Sequence, residues 1–137
     1  MHENAITYKM IQLMNRIPSC FARKRHGGAF SQGDPDIAGV IKGFAFFCEV
    51  KLETGELTKL QAVMLNKWKA AAAYTSVAIY SVETRQLRII SMGEGSDWIT
   101  SAGPIYKLLS GFPVDLNLPS IQRWIEPAVC CQPQNND

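Results

Sequence analysis

The chain has 137 residues, of which 47% are hydrophobic and 19% are charged, and its formal net charge is +2. This length is typical of one domain, and the composition excludes a disordered or collagen-like chain. The sequence contains neither an apolar run long enough to span a membrane nor a signal peptide, so we expect no membrane association and a cytoplasmic location.

Four cysteines lie at positions 20, 48, 130 and 131, and no two of them form a Cys-x-x-Cys pair. His2 and His26 also lack the spacing of zinc ligands, so the sequence does not predict a zinc site. We expect the thiols to stay reduced and Cys48, which lies in an apolar run, to be a small core residue.

Apolar residues at helical spacing predict a first helix over residues 3–16, which Pro18 ends. Its predicted buried residues are Ile6, Met10, Leu13, Met14 and Ile17. Residues 19–35 are basic and contain glycines, and we expect one short strand around Phe21 within a loop.

A β-hairpin is predicted next, with strands over residues 36–41 and 44–51. Only Lys42 and Gly43 separate the strands. This spacing favours a tight two-residue turn in which the glycine adopts a positive φ. A loop over residues 52–57 follows the second strand.

A second helix is predicted over residues 58–73, where Thr58 and Gln61 match a capping box. Its predicted buried stripe consists of Leu60, Val63, Met64, Trp68 and Ala71. Predicted strands over residues 75–82 and 86–91 follow. This order of elements indicates a mixed α/β or α+β protein.

The last third of the chain has a weaker pattern, with short helices predicted at residues 105–109 and 120–125. We predict poor order from about residue 127. The chain is therefore divided into a core over residues 1–92 and a C-terminal extension of the same domain over residues 93–137.

The candidate chemistry lies in the predicted hairpin. With a two-residue turn, Asp36 lies opposite Glu49 with Cβ atoms ~5 Å apart, whereas a longer loop would shift this register. Facing carboxylates raise each other's pKa unless a cation such as Mg²⁺ lies between them. Lys51 shares the strand face of Glu49 and could stabilise charge on a reacting phosphate. Each residue alone suits a solvated strand or turn, but the combination favours metal-assisted phosphodiester hydrolysis.

The same residues carry a family resemblance. Asp36 preceded by Pro35, and then Glu49, Val50 and Lys51 after an apolar strand, resemble the PD-(D/E)xK nuclease superfamily. This resemblance implies a restriction-endonuclease-like α/β (α+β) fold, with a central mixed β-sheet flanked by helices and an αβββαβ-type core.

The longer pattern is similar to the VRR-NUC nucleases, whose stand-alone members occur in phages and bacteria. It consists of an early helix with Glu3, the string GDPDIAGV, the string FFCEVK, a Gly-Glu-Leu-Thr loop and Gln61. The resemblance covers about residues 3–83. It implies a bacterial cell or a phage-infected cell as the location.

The resemblance also implies a set of roles. Mg²⁺ or Mn²⁺ would be the cofactor, with Asp36, Glu49 and the Val50 backbone carbonyl as metal ligands and Lys51 as the catalytic lysine. Asp34 departs from the family pattern, which leaves open which of the two aspartates faces the metal.

Two further residues, Glu3 and Gln61, match family positions and are candidate catalytic residues. Glu3 equally suits the first turn of a helix, where an acid interacts favourably with the helix dipole. Gln61 equally suits a capping box with Thr58, and a capped helix start can also face the site.

A basic loop precedes the acidic turn and is a candidate for contacts with DNA phosphates. The alternative is an exposed loop that only aids solubility. The loop residues are Arg23, Lys24, Arg25 and His26.

The resemblance implies a Mg²⁺-dependent DNA endonuclease. Compact members resemble Holliday junction resolvases, which cut as two-fold dimers, so we expect a homodimer and branched or four-way junction DNA as partners. The alternatives are a restriction- or flap-type nuclease, a catalytically silent nucleic-acid-binding domain, or an unrelated protein with an accidental motif. Apolar residues beyond the match either form a dimer interface or cover the sheet, namely Trp98, Ile99, Ile105, Tyr106, Leu108 and Leu109.

Overall fold

The structure is a computed structural model that describes residues 2–25, 32–92, 96–100, 103–104 and 111–130. Its helices are α1 (Glu3–Met14), α2 (Lys59–Ala70) and α3 (Leu118–Cys130). Its strands are β1 (Cys20–Lys24), β2 (Ile37–Ile41), β3 (Phe44–Leu52), β4 (Tyr74–Tyr80), β5 (Gln86–Ser91), β6 (Ile99–Thr100), β7 (Gly103–Pro104) and β8 (Phe112–Asp115). None of the described helices is long and apolar enough to cross a bilayer.

Six strands form one mixed sheet in the order β1-β2-β3-β4-β5-β8. Strands β3 and β4 are parallel, and the other neighbours in the sheet are antiparallel. Helix α2 connects the two parallel strands, as a parallel pair requires a crossover connection. Strands β6 and β7 pair separately with each other. The predicted mixed sheet flanked by helices is confirmed.

The hairpin between β2 and β3 has the predicted two-residue turn. Lys42 and Gly43 have φ values of 50° and 87°. Positive φ at both central residues matches the right-handed twist of the flanking strands. Ile41 pairs with Phe44, which confirms the predicted register.

The three helices cover opposite faces of the sheet. Helices α1 and α3 pack on one face, where Phe46, Cys48 and Val50 of β3 join the larger core. Helix α2 packs on the other face, over Val77 and Ile79 of β4. Because strand side chains alternate, the odd-numbered residues of β3 point to the α2 side.

The predicted buried stripe of α2 is wrong. The fully buried residues of the helix are Ala62 and Leu65, whereas Leu60 is 47% exposed and Ala71 is exposed. The other predicted stripe residues, Val63, Met64 and Trp68, are half-buried. The reason is that α2 packs on the sheet through Ala62 and Leu65, while Leu60 contacts Gly33 and Trp68 bonds to Asp34 in the loop that precedes β2.

The end of the described chain also differs from the prediction. Helix α3 includes the predicted helix at residues 120–125 and continues through Pro127 to Cys130, so the expected loss of order from about residue 127 is wrong there. Proline removes one helical hydrogen bond, but Val129 beyond it is 2% exposed and packs in the core. Burial of this apolar face therefore keeps the last turn helical. The predicted helix at residues 105–109 lies outside the described residues.

Part of the apolar segment proposed as an interface is internal. Trp98 is fully buried, and Ile99 packs beside it under α2. The Trp98 indole N–H donates to Thr75 Oγ1 at 3.1 Å, which satisfies the buried donor. These two residues therefore cover the sheet. The other four, Ile105, Tyr106, Leu108 and Leu109, lie outside the described residues.

Candidate functional site

The carboxylates of Asp36 and Glu49 meet where β2 begins. Ile37, the first residue of β2, pairs with Cys48, so the preceding Asp36 lies opposite Glu49 on the α2 side of the sheet. The Asp36 carboxylate accepts a hydrogen bond from the Val50 backbone N–H, at 2.9 Å from Oδ2. This bond fixes the Asp36 side chain beside the backbone of β3.

Glu49 is an acidic side chain in a largely apolar setting. It is 2% exposed, and Gln61 Nε2 donates to its Oε1 at 3.4 Å. Its Oε2 is buried and has no hydrogen-bond partner within the described part of the chain. Burial raises the pKa of Glu49 well above its ordinary value, and the neighbouring Asp36 carboxylate raises it further. The positive charge of Lys51 opposes this shift in pKa.

Lys51 and Glu3 lie next to the pair of carboxylates, at the end of β3. Lys51 is 8% exposed. Glu3 opens α1, and its Oε2 accepts from the Leu52 backbone N–H at 3.4 Å. A Cβ on Gly55 would lie 3.2 Å from Glu3 Oε2 and 3.4 Å from the Lys51 side chain, so both side chains border this glycine. The structure therefore brings Glu3, at the start of the matched sequence, to the end of β3, 49 positions later.

Gln61 performs the capping role and also contacts the site. Thr58 Oγ1 accepts from the Gln61 backbone N–H at 3.1 Å, and Gln61 Oε1 accepts from the Thr58 N–H at 2.9 Å. The predicted capping box is thus confirmed. The amide nitrogen of the same side chain donates to Glu49, so a capped helix start faces the carboxylates.

Asp34 has partners that separate it from this carboxylate pair. Arg25 donates to its Oδ2 at 2.6 Å, and the Trp68 indole N–H donates to its Oδ1 at 3.3 Å. The Trp68 ring stacks on Phe47 with centroids 4.1 Å apart. Sequence reasoning did not identify this cluster, because nothing local links Asp34 to a helix residue 34 positions later.

The prediction of a basic loop is wrong in part, because Arg23 and Lys24 belong to β1. Arg23 is exposed, whereas Lys24 donates to Asn4 Oδ1 at 2.7 Å and lies over the Tyr8 ring. Arg25 pairs with Asp34, and its guanidinium lies over the Phe47 and Trp68 rings. His26 lies outside the described residues.

The residues at the site fit a divalent cation. A buried carboxylate oxygen with no partner among the described residues, on a side chain whose pKa is raised by burial and by a second carboxylate, is the environment that a hard cation stabilises. Within the described ranges, no group of three His, Cys, Asp or Glu side chains is placed to hold a metal. Two carboxylates would therefore need to be complemented by backbone oxygen or water, which Mg²⁺ accepts.

Comparison with solved structures finds a protein of similar fold. The chain is similar to Hjc of Archaeoglobus fulgidus, a Holliday junction resolvase from an archaeal hyperthermophile, with a TM-score of 0.51 and 14% sequence identity. The match covers 69% of this chain and 79% of that one. No protein-family model and no curated protein matches the chain. At this identity the likeness is evidence for a shared fold, namely the mixed sheet flanked by helices.

Proposed function

We propose that this protein is a metal-dependent DNA endonuclease that hydrolyses phosphodiester bonds. The observation that carries the proposal is the buried Glu49 carboxylate, which lies beside Asp36 and on the same strand face as Lys51. One of its oxygens has no partner in the described part of the chain. An acidic pair of this kind destabilises the fold unless it binds a cation, so a functional reason for it is more plausible than a structural one.

In this proposal, Asp36, Glu49 and the Val50 carbonyl hold Mg²⁺ or Mn²⁺. The Val50 N–H points to Asp36, and a strand residue directs its N–H and C=O to the same neighbour, so its carbonyl is expected on the Asp36 side. The bound ion would supply Lewis acidity to the scissile phosphate and lower the pKa of a water. The protein contributes a fixed pair of carboxylates in a site that is largely closed to solvent.

The other side chains have positioning and charge roles. Lys51 supplies a positive charge next to the carboxylates and would stabilise the negative charge that develops on the phosphate. Gln61 holds Glu49 Oε1, and Glu3 is fastened to the end of β3, where it could accept a proton or orient a water. Arg23, an exposed residue of β1, would contact DNA phosphates.

The finer form of the proposal is a structure-selective enzyme of VRR-NUC type, resolvase-like, from a bacterium or phage and active in the cytoplasm. The shared fold with a Holliday junction resolvase supports junction DNA as the substrate. Junction resolution requires two symmetric cuts, which a homodimer supplies. Light scattering should then give about twice the 15.2 kDa chain mass at micromolar concentration.

The decisive experiment incubates the protein with four-way junction, flap, linear duplex and single-stranded DNA, with Mg²⁺, Mn²⁺, Ca²⁺ or EDTA. We expect cleavage with Mg²⁺ or Mn²⁺ only and a preference for the junction. Asp36→Ala and Glu49→Ala should each abolish cleavage, while Glu83→Ala, at an exposed turn acid, should cut at the wild-type rate.

Three outcomes would change the proposal. Wild-type rates in either site variant would contradict the ligand assignment. DNA binding without cleavage under every metal would instead identify a silent nucleic-acid-binding domain. A monomer at all concentrations, or equal cutting of junction and duplex, would remove the resolvase form and leave a restriction- or flap-type nuclease.

A further inference from the structure

An open groove of about 420 Å³ lies beside the site on the α2 side of the sheet, toward the β1 edge. Ala38 and Val40 of β2 and Ala45 and Phe47 of β3 line it. Its outer wall is β1, where Phe21 is 63% exposed. The volume is within the range of ~300–1,000 Å³ typical of ligand sites.

The groove and the carboxylates lie in succession along the same two strands. Side chains alternate along a strand, so Asp36 shares its face with Ala38, and Glu49 shares its face with Ala45. Arg25 borders both features, because it lines the groove and its backbone N–H donates to the Asp36 carbonyl at 2.8 Å, while its guanidinium lies 6.0 Å from the centre of the Phe47 ring. A chain that occupied the groove would therefore continue over Arg25 toward the carboxylate pair.

The groove combines apolar and cationic surface. Phe21 and Val40 present exposed apolar side chains, with 63% and 47% of their surface accessible. Arg23 is exposed, and the Arg25 side chain remains 34% exposed although it pairs with Asp34. Two basic side chains, Arg23 and Arg25, lie on this face, and the described lining residues include no acidic one, so an anionic occupant is favoured electrostatically. The side chain of Lys24 instead points to Asn4 and Tyr8 on the opposite face.

We infer that this groove binds an unpaired, single-stranded segment of the DNA substrate next to the bond that is cut. Exposed aromatic rings stack on bases of any sequence, and arginines beside them contact the phosphates of the same strand. Bases in an intact duplex are already stacked on each other and cannot reach a side chain on a sheet. The inference rests on the proposed nuclease function, because it names which part of that substrate approaches the site.

The test measures DNA binding in EDTA, so that cleavage does not enter the result. The probes are fluorescein-labelled single-stranded DNA, linear duplex of the same sequence, and that duplex with a single-stranded overhang. Phe21→Ala should weaken binding of the two probes with unpaired nucleotides about 10-fold, the order expected for one lost base stack, and weaken duplex binding much less. Phe44→Ala is the matched control, since Phe44 is 42% exposed but belongs to the opposite strand face.

A substitution that retains the ring provides a second measurement. Phe21→Trp should bind single-stranded DNA as tightly as the wild type, and its additional tryptophan fluorescence should be quenched by single-stranded DNA and not by duplex. Because Phe21 is largely exposed, all three variants should melt at the wild-type temperature.

Three results would overturn the inference. One is unchanged binding of Phe21→Ala to every probe, and another is an equal loss of affinity for single-stranded DNA and duplex. The third is a halved mass of Phe21→Ala in light scattering with unchanged DNA affinity, which would assign the groove to a second copy of the chain. Failure of Asp36→Ala to abolish cleavage would contradict the proposed ligand assignment and would leave these binding results unaffected.

Discussion

The Glu49 carboxyl is buried although burial disfavours its charged form. Its pKa is raised first by burial and then by Asp36, and Lys51 only partly opposes the shift. A protein gains nothing in stability from such a group when no cation is bound. The residue therefore links the stability of the metal-free protein to pH.

We expect Glu49→Gln to stabilise the metal-free protein more at pH 8 than at pH 5. The raised pKa means that the folded state retains a proton that the unfolded state loses above the ordinary pKa of 4.5. The associated stability is present below that value and is lost as the pH rises through the folded-state pKa. Glutamine does not titrate, so thermal melts in EDTA should diverge with rising pH, and parallel curves for the two proteins would contradict this account.

Lys51→Met is expected to separate catalysis from folding. Methionine preserves the apolar stem of this largely buried side chain and removes its charge. Loss of a preorganised contact to the transition state should lower the cleavage rate by ~100-fold or more. The melting temperature in the presence of metal should change by only a few degrees. A variant that unfolds would indicate a structural ion pair.

At the scale of elements, α2 is the part that organises the site. Its first turn carries Gln61 to Glu49, and its last turns carry Trp68 to Asp34. Gly33, with φ of 78°, packs against Leu60 of the same helix. The short loop before β2 thus contacts both the first turn and the last turns of α2, and these contacts position the following Asp36.

Gly33→Ala should therefore disturb both stability and cleavage. An added Cβ would lie 2.6 Å from Leu60 Cγ, and alanine is also disfavoured at this positive φ. The matched control is Gly43→Ala, where φ is 87° but no atom lies within 4 Å of the added Cβ.

The two variants share the backbone cost of about 1–2 kcal/mol. Gly33→Ala should lose a further ~1–3 kcal/mol by overpacking, measured by urea unfolding, and should cut DNA more slowly. Equal losses of stability in the two variants would show that Leu60 moves aside.

At the scale of the whole molecule, the core extends past the part that resembles a nuclease. Strand β8 joins the edge of the sheet, and α3 packs on the same face as α1. The Trp124 indole N–H donates to the Tyr74 hydroxyl at 3.1 Å, which ties α3 to the centre of the sheet. The C-terminal helix is therefore integral to the fold.

Ile125→Ala tests this integration, because Ile125 is fully buried in the larger core. Truncation should lower the free energy of unfolding by ~2–5 kcal/mol, as expected for a core cavity. Arg123→Ala, on the exposed face of the same helix, should change it by less than ~0.5 kcal/mol. A small effect of Ile125→Ala in urea denaturation would mean that the helix contributes little to the core.

The sequence by itself determined the hairpin and the pairing within it. Strand side chains alternate with a period of two, and the two-residue turn predicted from Lys42 and Gly43 is the one observed, so Asp36 lies opposite Glu49 as predicted. The capping box of Thr58 and Gln61 is equally local, because its partners are three residues apart. The catalytic and metal-binding roles of these residues remain predictions.

Only the tertiary structure decided which faces of the helices are buried and which distant groups meet. The apolar pattern of α2 predicted a different buried stripe, and packing on β4 buries Ala62 and Leu65 instead. Glu3 reaches Leu52 across 49 positions, and helix α3 persists beyond Pro127 because the core covers it. Such contacts depend on how the sheet and helices pack together, and that energy is shared among residues far apart in the chain.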